Sequence, residues 1–168
     1  MRLRMLRAER PWQEHAALYR CLFADPAVAE RLWAHTQPTA AEIRAAEILA
    51  GDISHWQERA FGPWVFFESA TGLFVGRGGL RDAHLAGRDC IELLYAVRSE
   101  AWGRGYATEM ATLAVAEARR LGLSELVGVT ATSNHASRRV LEKVGMRFEE
   151  IFERAGLPHL LGRMRPMH

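Results

Sequence analysis

Apolar and polar residues follow one another along this chain with a period that switches between two and about 3.6, and each switch marks a predicted element. Residues 1–6 alternate, with Leu3 and Met5 on one face and arginines on the other, which predicts an opening strand. Pro11 then starts a helix over 12–23 that puts Trp12, Ala16, Tyr19 and Phe23 on one side. Asp25-Pro26 breaks it, and 31–38 reads as a loop or short helix carrying Trp33 and His35. A second helix covers 39–57, opened by Thr39 and Glu42 as a capping-box pair. Residues 63–68 and 73–80 are apolar or alternating runs around Ser69-Ala70-Thr71-Gly72, a predicted β-hairpin. A polar loop over 82–88 leads to a third strand, 90–97. Three strands joined by short loops must be antiparallel, because a parallel pair needs a long crossover.

The period then returns to 3.6. Ala107, Met110, Ala111, Ala114, Ala118 and Leu121 share one face of a helix predicted over 104–121, which Gly122 ends. A strand over 125–131 follows, so it should lie parallel to 90–97. Asn134 caps a helix over 134–144, closed by Gly145. Strands over 146–152 and 160–164, joined by a turn at 155–158, complete the order β-α-α-β-β-β-α-β-α-β-β. The expected fold class is α/β (α+β): a mixed, mostly antiparallel central sheet with helices on both faces, in one domain over 1–168.

Composition narrows the function classes. The chain has 168 residues, 49% hydrophobic and 25% charged, the ordinary globular balance. No apolar run approaches a membrane span, and the amino-terminal stretch lacks a signal-peptide core, so no membrane partner and a cytoplasmic location are expected. The net charge of +2 is too small to argue for nucleic acid. Cys21 and Cys90 make no zinc pattern and the histidines no HExxH spacing, so no metal is expected. A monomer or homodimer fits equally.

Gly103-Arg104-Gly105 falls between a strand and a helix start. Bare amides at a helix N-terminus attract anions, and glycine lets a phosphate approach the backbone; a structural turn fits the same residues. There is no GxxxxGK[ST], and antiparallel strands precede the turn, which argues against a P-loop and against NAD.

Three segments together resemble a known family: residues 91–97 (Ile-Glu-Leu-Leu-Tyr-Ala-Val), residues 100–109 around Trp102-Gly103-Arg104-Gly105-Tyr106-Ala107-Thr108, and residues 134–146 from Asn134 to Met146. They are similar to the GNAT superfamily of N-acetyltransferases, and closest to its RimJ/RimL-like branch. The likeness implies acetyl-CoA as cofactor. It implies pantetheine beside Tyr95, Ala96 and Val97, held by main-chain bonds from Tyr95 and Val97. It implies pyrophosphate on the amides from Gly103 to Thr108 behind Trp102, Asn134 near the pantetheine, and Ser137 near the sulfur. Arg139 is carried as a contact for the 3′-phosphate. Two departures stand out: Trp102 replaces the usual Gln or Arg, and Leu141 stands where many members place a tyrosine that serves the thiolate.

The implied reaction moves acetyl from the thioester to a primary amine, of a protein N-terminus or a small molecule, by direct transfer in a ternary complex. It needs a base for the amine, a donor for the oxyanion (a backbone N–H near Leu94 or Tyr95) and a partner for the thiolate. Glu92, an acid on an apolar strand, is the candidate base, or else an ordinary ion pair with an arginine. Ser137 is the candidate thiolate partner, and also fits as a helix-cap residue. Trp33, His35, Trp56 and the 155–158 turn are candidates for the acceptor pocket. The alternative is a catalytically degenerate module that only binds acyl-CoA.

Overall fold

The computed structural model describes residues 4–33, 38–154 and 156–166, without side chains for 38–42. The expectations placed on Leu3, His35, the Thr39–Glu42 capping box and Ala155 lie outside the described residues. Among the described residues seven strands form one sheet in the order β1-β2-β3-β4-β5-β7-β6. They are β1 (Leu6–Glu9), β2 (Pro63–Glu68), β3 (Phe74–Leu85), β4 (Arg88–Val97), β5 (Leu126–Ala131), β6 (Arg147–Arg154) and β7 (Leu157–Met164). Among the described residues five α-helices accompany them: α1 (Ala16–Ala24), α2 (Pro26–Leu32), α3 (Pro38–Arg59), α4 (Tyr106–Arg120) and α5 (His135–Lys143). The fold is the mixed, mostly antiparallel α/β class the patterning predicts: only β4 and β5 run parallel.

Alternation along the strands assigns the helices to two faces. Val65, Phe74 and Ala96 pack with Tyr19, Leu22, Phe23 and Leu49 of α1 and α3. Their neighbours Phe66, Val75 and Val97 pack with Tyr106 and Met110 of α4. Leu80, Leu93 and Leu126 pack with Ala111, Ala114 and Ala118 of α4 and with Leu141 of α5. The alanine face lets α4 lie close on the sheet, as its spacing suggests.

Several boundaries differ from the sequence reading, each for a local reason. The first strand starts at Leu6, and the first helix at Ala16 after a 3-10 turn over Gln13–His15. Asp25-Pro26 ends α1 and also opens α2: Asp25 Oδ1 accepts from Ala27 N (2.9 Å), and proline is tolerated in a first helical turn. The order therefore gains a helix between α1 and α3. The polar stretch after Leu80 is not a loop. It continues β3 to Leu85, and the hairpin turns at Ala86 (φ 48°) and Gly87 (φ 76°), a two-residue turn with both residues left-handed. The last strand begins at Leu157, inside the predicted turn, because all of 157–163 pairs with β6. Among the described residues no helix is long and apolar enough to cross a membrane.

Candidate active site

The seam between β4 and β5 organises the site. These strands pair at one register position, Glu92↔Val127, yet β4 continues to Val97 and β5 to Ala131. The upper halves therefore part. The ladder phase on the other side of β4 decides which groups face the opening. Arg98 N donates to Val75 O (2.9 Å), and Gly76 stands opposite Val97. In an antiparallel ladder this makes Ala96 and Arg77 a hydrogen-bonded pair, so the amides and carbonyls of Tyr95 and Val97 point into the seam. One is already engaged: Trp102 Nε1 donates to Val97 O (2.8 Å).

At the top of β4 the chain turns through Ser99–Ala101 and two left-handed glycines, Gly103 (φ 77°) and Gly105 (φ 85°), into α4. The first helical bond of α4 is Glu109 N to Gly105 O (3.1 Å). Among the described residues no acceptor meets the amides of 103–108, so a run of donors crowns a helix start, where the dipole adds positive potential. A concave run of amides of this kind suits a diphosphate.

The turn is braced on every side. Asp25 Oδ2 accepts from Ser99 Oγ (2.5 Å) and Ser99 N (3.3 Å). Burial pulls the Asp25 carboxyl upward, but hydrogen bonds from Ser99 and from the Ala27 and Val28 amides outweigh it and hold it below the usual range. Arg31 of α2 stacks on the Trp102 ring at 3.8 Å from its centroid, so the departure at Trp102 has a structural partner. Tyr106 is buried and its hydroxyl donates to Glu68 Oε1, so its side chain anchors the helix to β2 and leaves only its amide to the turn. Glu109 Oε1 accepts from the amides of Arg4 (2.6 Å), Met5 (3.0 Å) and Leu6 (3.3 Å), tying the edge strand to the first turn of α4. Arg104 is exposed, whereas Ala107 and Thr108 are half-buried.

Asn134 caps α5, its Oδ1 accepting from Ser137 N (3.1 Å). Ser137 Oγ lies 2.9 Å from the Tyr95 hydroxyl, which also donates to Ser137 O (3.0 Å). Burial pushes the Tyr95 phenol up to about 12, although its Ser137 contact acts the other way. Leu141, the position without a tyrosine, is a core residue. Arg138 pairs with Glu142 (2.9 Å), whereas Arg139 is exposed with no ion pair among the described residues.

Glu92 projects to the opposite face. Its side chain is only 6% exposed, and Oε2 accepts from Arg81 Nε (2.9 Å) and Nη2 (2.7 Å). Among the described residues Oε1 meets only Arg154, at 3.9 Å. The ion-pair reading of Glu92 thus holds in geometry, with Oε1 free of any short bond among the described residues. A cleft of ≈ 330 Å³ opens beside Arg81, lined by Glu47, Ile48, Gly51, His55 and Asp82 among others. A larger one, ≈ 610 Å³, lies by the β3–β4 hairpin, far along β4 from the amide turn.

The structure therefore brings Tyr95, Ser137 and Asn134 together, and gathers 102–108 into one turn. It does not bring Glu92 to Ser137; they lie on opposite faces of β4, with the seam as the passage between. Trp33 packs on Phe23 (5.3 Å), and Trp56 donates to Pro63 O (2.7 Å) and stacks under Arg10 (4.5 Å), so both serve packing. Sequence reasoning missed the braces Asp25, Arg31, Glu68 and Glu109, and the Tyr95 hydroxyl. For Glu109 alone a signal existed: an acid in a helix's first turn, where dipole and caps favour it.

Known proteins share this fold. The family model "Acetyltransferase (GNAT) domain" matches residues 6–147. A curated Aspergillus fumigatus relative, FsC-acetyl coenzyme A-N(2)-transacetylase, is 38% identical over 99 residues, 55% of this chain and 41% of that protein. The chain thus spans less than half of that relative's length. The acetyltransferase of Agrobacterium tumefaciens superposes with a TM-score of 0.79 at 22% identity, over 98% of this chain and 93% of that one. A Salmonella typhimurium chain described as an acetyltransferase and solved with its cofactor acetyl-CoA gives 0.71 at 18%, over 98% and 95%. With a family model matched over most of its length and the fold shared throughout, the chain belongs to the GNAT family of acetyltransferases.

Proposed function

We propose that this protein, as one domain over 1–168 of RimJ/RimL-like character, transfers acetyl from acetyl-CoA to a primary amine of a protein N-terminus or a small molecule in a ternary complex. The observation that carries it is the pairing of a donor-rich turn at 103–108 with a seam whose edge groups belong to Tyr95 and Val97. The turn fits a pyrophosphate, and the seam fits an extended, amide-bearing arm. Because Val97 O is engaged by Trp102, Val97 offers its N–H, while Tyr95 offers both groups. Asn134 keeps its side-chain NH₂ for the same arm, and Arg139 is the exposed cation for the 3′-phosphate.

Bound acetyl-CoA supplies the activated acyl group. The protein's part is to hold that group in the seam, reachable from both faces. Glu92 Oε1 takes the amine's proton, directly or through water, on the cleft side. Of the two amides expected to serve the oxyanion, Leu94 N–H is turned to Gly79 of β3 and only Tyr95 N–H faces the seam, so the Tyr95 amide stabilises the oxyanion, and Ser137 meets the thiolate on the α5 side.

Thermal unfolding with acetyl-CoA, against NAD as control, tests the reading. At about 100 times the dissociation constant a ligand adds roughly 2.7 kcal/mol and raises the midpoint by several degrees. A rise with acetyl-CoA alone supports it; no rise at saturating concentration removes it.

A further inference from the structure

Position 141 is a buried leucine, so α5 offers no phenol of its own in this chain. A phenol nevertheless reaches Ser137, from β4. The Tyr95 hydroxyl spans the opening between β4 and α5 and stands 2.9 Å from Ser137 Oγ and 3.0 Å from Ser137 O. It has one proton for two acceptors. When it donates to the carbonyl, the Ser137 hydroxyl is free to donate back to the phenol oxygen. When it donates to Oγ, the Ser137 O–H must point elsewhere.

A third hydroxyl lies on the same face of the sheet. Thr130 Oγ1 is buried and has no hydrogen-bond partner among the described residues. Its direction follows from register. A Cβ at Gly128 would meet Leu141 (3.1 Å) and Met146 (2.6 Å), so residue 130, two along, faces α5 as well. The strand climbs as the helix descends, and Ser137 is one turn before Leu141; Thr130 therefore faces the first turn of α5. The hydroxyls of Tyr95 and Ser137 meet where β4 and β5 part, and Thr130 faces the same end of α5 without bonding either of them. A buried hydroxyl without a partner is costly unless something polar satisfies it.

We propose that Tyr95 is a positioning residue that, by donating to Ser137 Oγ, turns the serine O–H toward the sulfur of coenzyme A and strengthens it as a donor; this rests on the acetyl-CoA reading above. When the C–S bond breaks, its electron pair stays on sulfur, the thiolate accepts from Ser137, the amine's proton leaves on the Glu92 side, and no proton leaves Tyr95. Chains of hydroxyls polarise one another, so the second donor adds to the first.

The test needs no acceptor. Coenzyme A is bound to wild type, Tyr95→Phe, Ser137→Ala and the double variant, and its thiolate absorbance is titrated with the protein-alone signal subtracted. Ser137→Ala should raise the bound thiol's pKa by about one unit, a tenfold loss of thiolate at a given pH. Tyr95→Phe should raise it by about half a unit, roughly threefold, and the double variant should match Ser137→Ala. Tyr95→Phe titrating like wild type, or shifting the thiol equally when Ser137 is absent, overturns the proposal. A purely structural tyrosine would lower the unfolding midpoint and leave the titration unmoved. If wild type does not bind coenzyme A, the cofactor reading itself fails and this inference goes with it.

Discussion

Strand β3 carries two arginines on the same face, and each meets a buried acid in a different way. Arg77 binds Asp52 of α3 through Nε (2.7 Å) and Nη2 (2.6 Å), one bond to each oxygen, and Tyr19 adds a third bond at 2.8 Å. Both partners are sealed, at 6% side-chain exposure each. Burial alone would lower the Arg77 pKa, but the Asp52 charge and hydrogen bonds reverse this and raise it; burial and Asp52 together raise Tyr19. Arg81, by contrast, is 35% exposed and spends both its bonds on one oxygen of Glu92. A sealed pair with both carboxylate oxygens bonded is a clamp, here pinning α3 on the sheet. The second pair leaves one carboxylate oxygen without a short bond and has its arginine at the edge of a cleft, which is why we propose Glu92 as the base.

The largest effect should come from opening the clamp. Asp52→Ala leaves a buried guanidinium uncompensated and should cost about 3–5 kcal/mol in denaturant unfolding. Asp52→Leu with Arg77→Met should recover most of that. If the single change costs under about 1 kcal/mol, the two pairs are not different in kind. Next comes Glu92→Gln, which keeps acceptor oxygen for Arg81. Stability should move by about 1 kcal/mol or less. Turnover should fall at least about tenfold at unchanged affinity for acetyl-CoA, equal to roughly 1.4 kcal/mol at the barrier.

Tyr19→Phe should cost about 1 kcal/mol at neutral pH. The folded Tyr19 pKa lies above its ordinary value of 10.0, so its contribution is whole below that pH and is lost as pH rises beyond it. The gap between wild type and Tyr19→Phe should therefore narrow above about pH 10, by up to about 1.4 kcal/mol per unit, in urea melts across the alkaline range. The smallest effect belongs to Arg154→Ala. That side chain is 45% exposed and 3.9 Å from Glu92, so stability should stay within about 0.5 kcal/mol; the Michaelis constant for the amine should move instead.

These contrasts also explain what the sequence made legible. Strand β2 and the alanine face of α4 were readable because one period and one pair of breakers define them. The turn at 103–105 was readable because positive φ selects glycine. Asp25-Pro26 misled because the same dipeptide ends one helix and caps the next, and only the Ala27 amide on Asp25 decides between them. Arg81–Leu85 misled because polar residues beyond the core still alternate on a ladder. Glu92 and Ser137 stood out as single residues. Their partners Arg81 and Tyr95, 11 and 42 positions away, are set by strand pairing and helix docking, which no local pattern records.

The lone rung at Glu92↔Val127 has one more consequence. Edge strands are normally found at a sheet's margin, where charge or cover keeps other chains away. Here two edges lie in the middle of a seven-stranded sheet, and of the β4 groups at 95 and 97 that face the opening only Val97 O is engaged, by Trp102. Such an edge recruits any extended segment of the right width, by strand addition. Coenzyme occupancy would then guard solubility as well as serve chemistry. Protein stripped of ligand should form β-rich oligomers faster on warming, through residues 93–97 and 128–131.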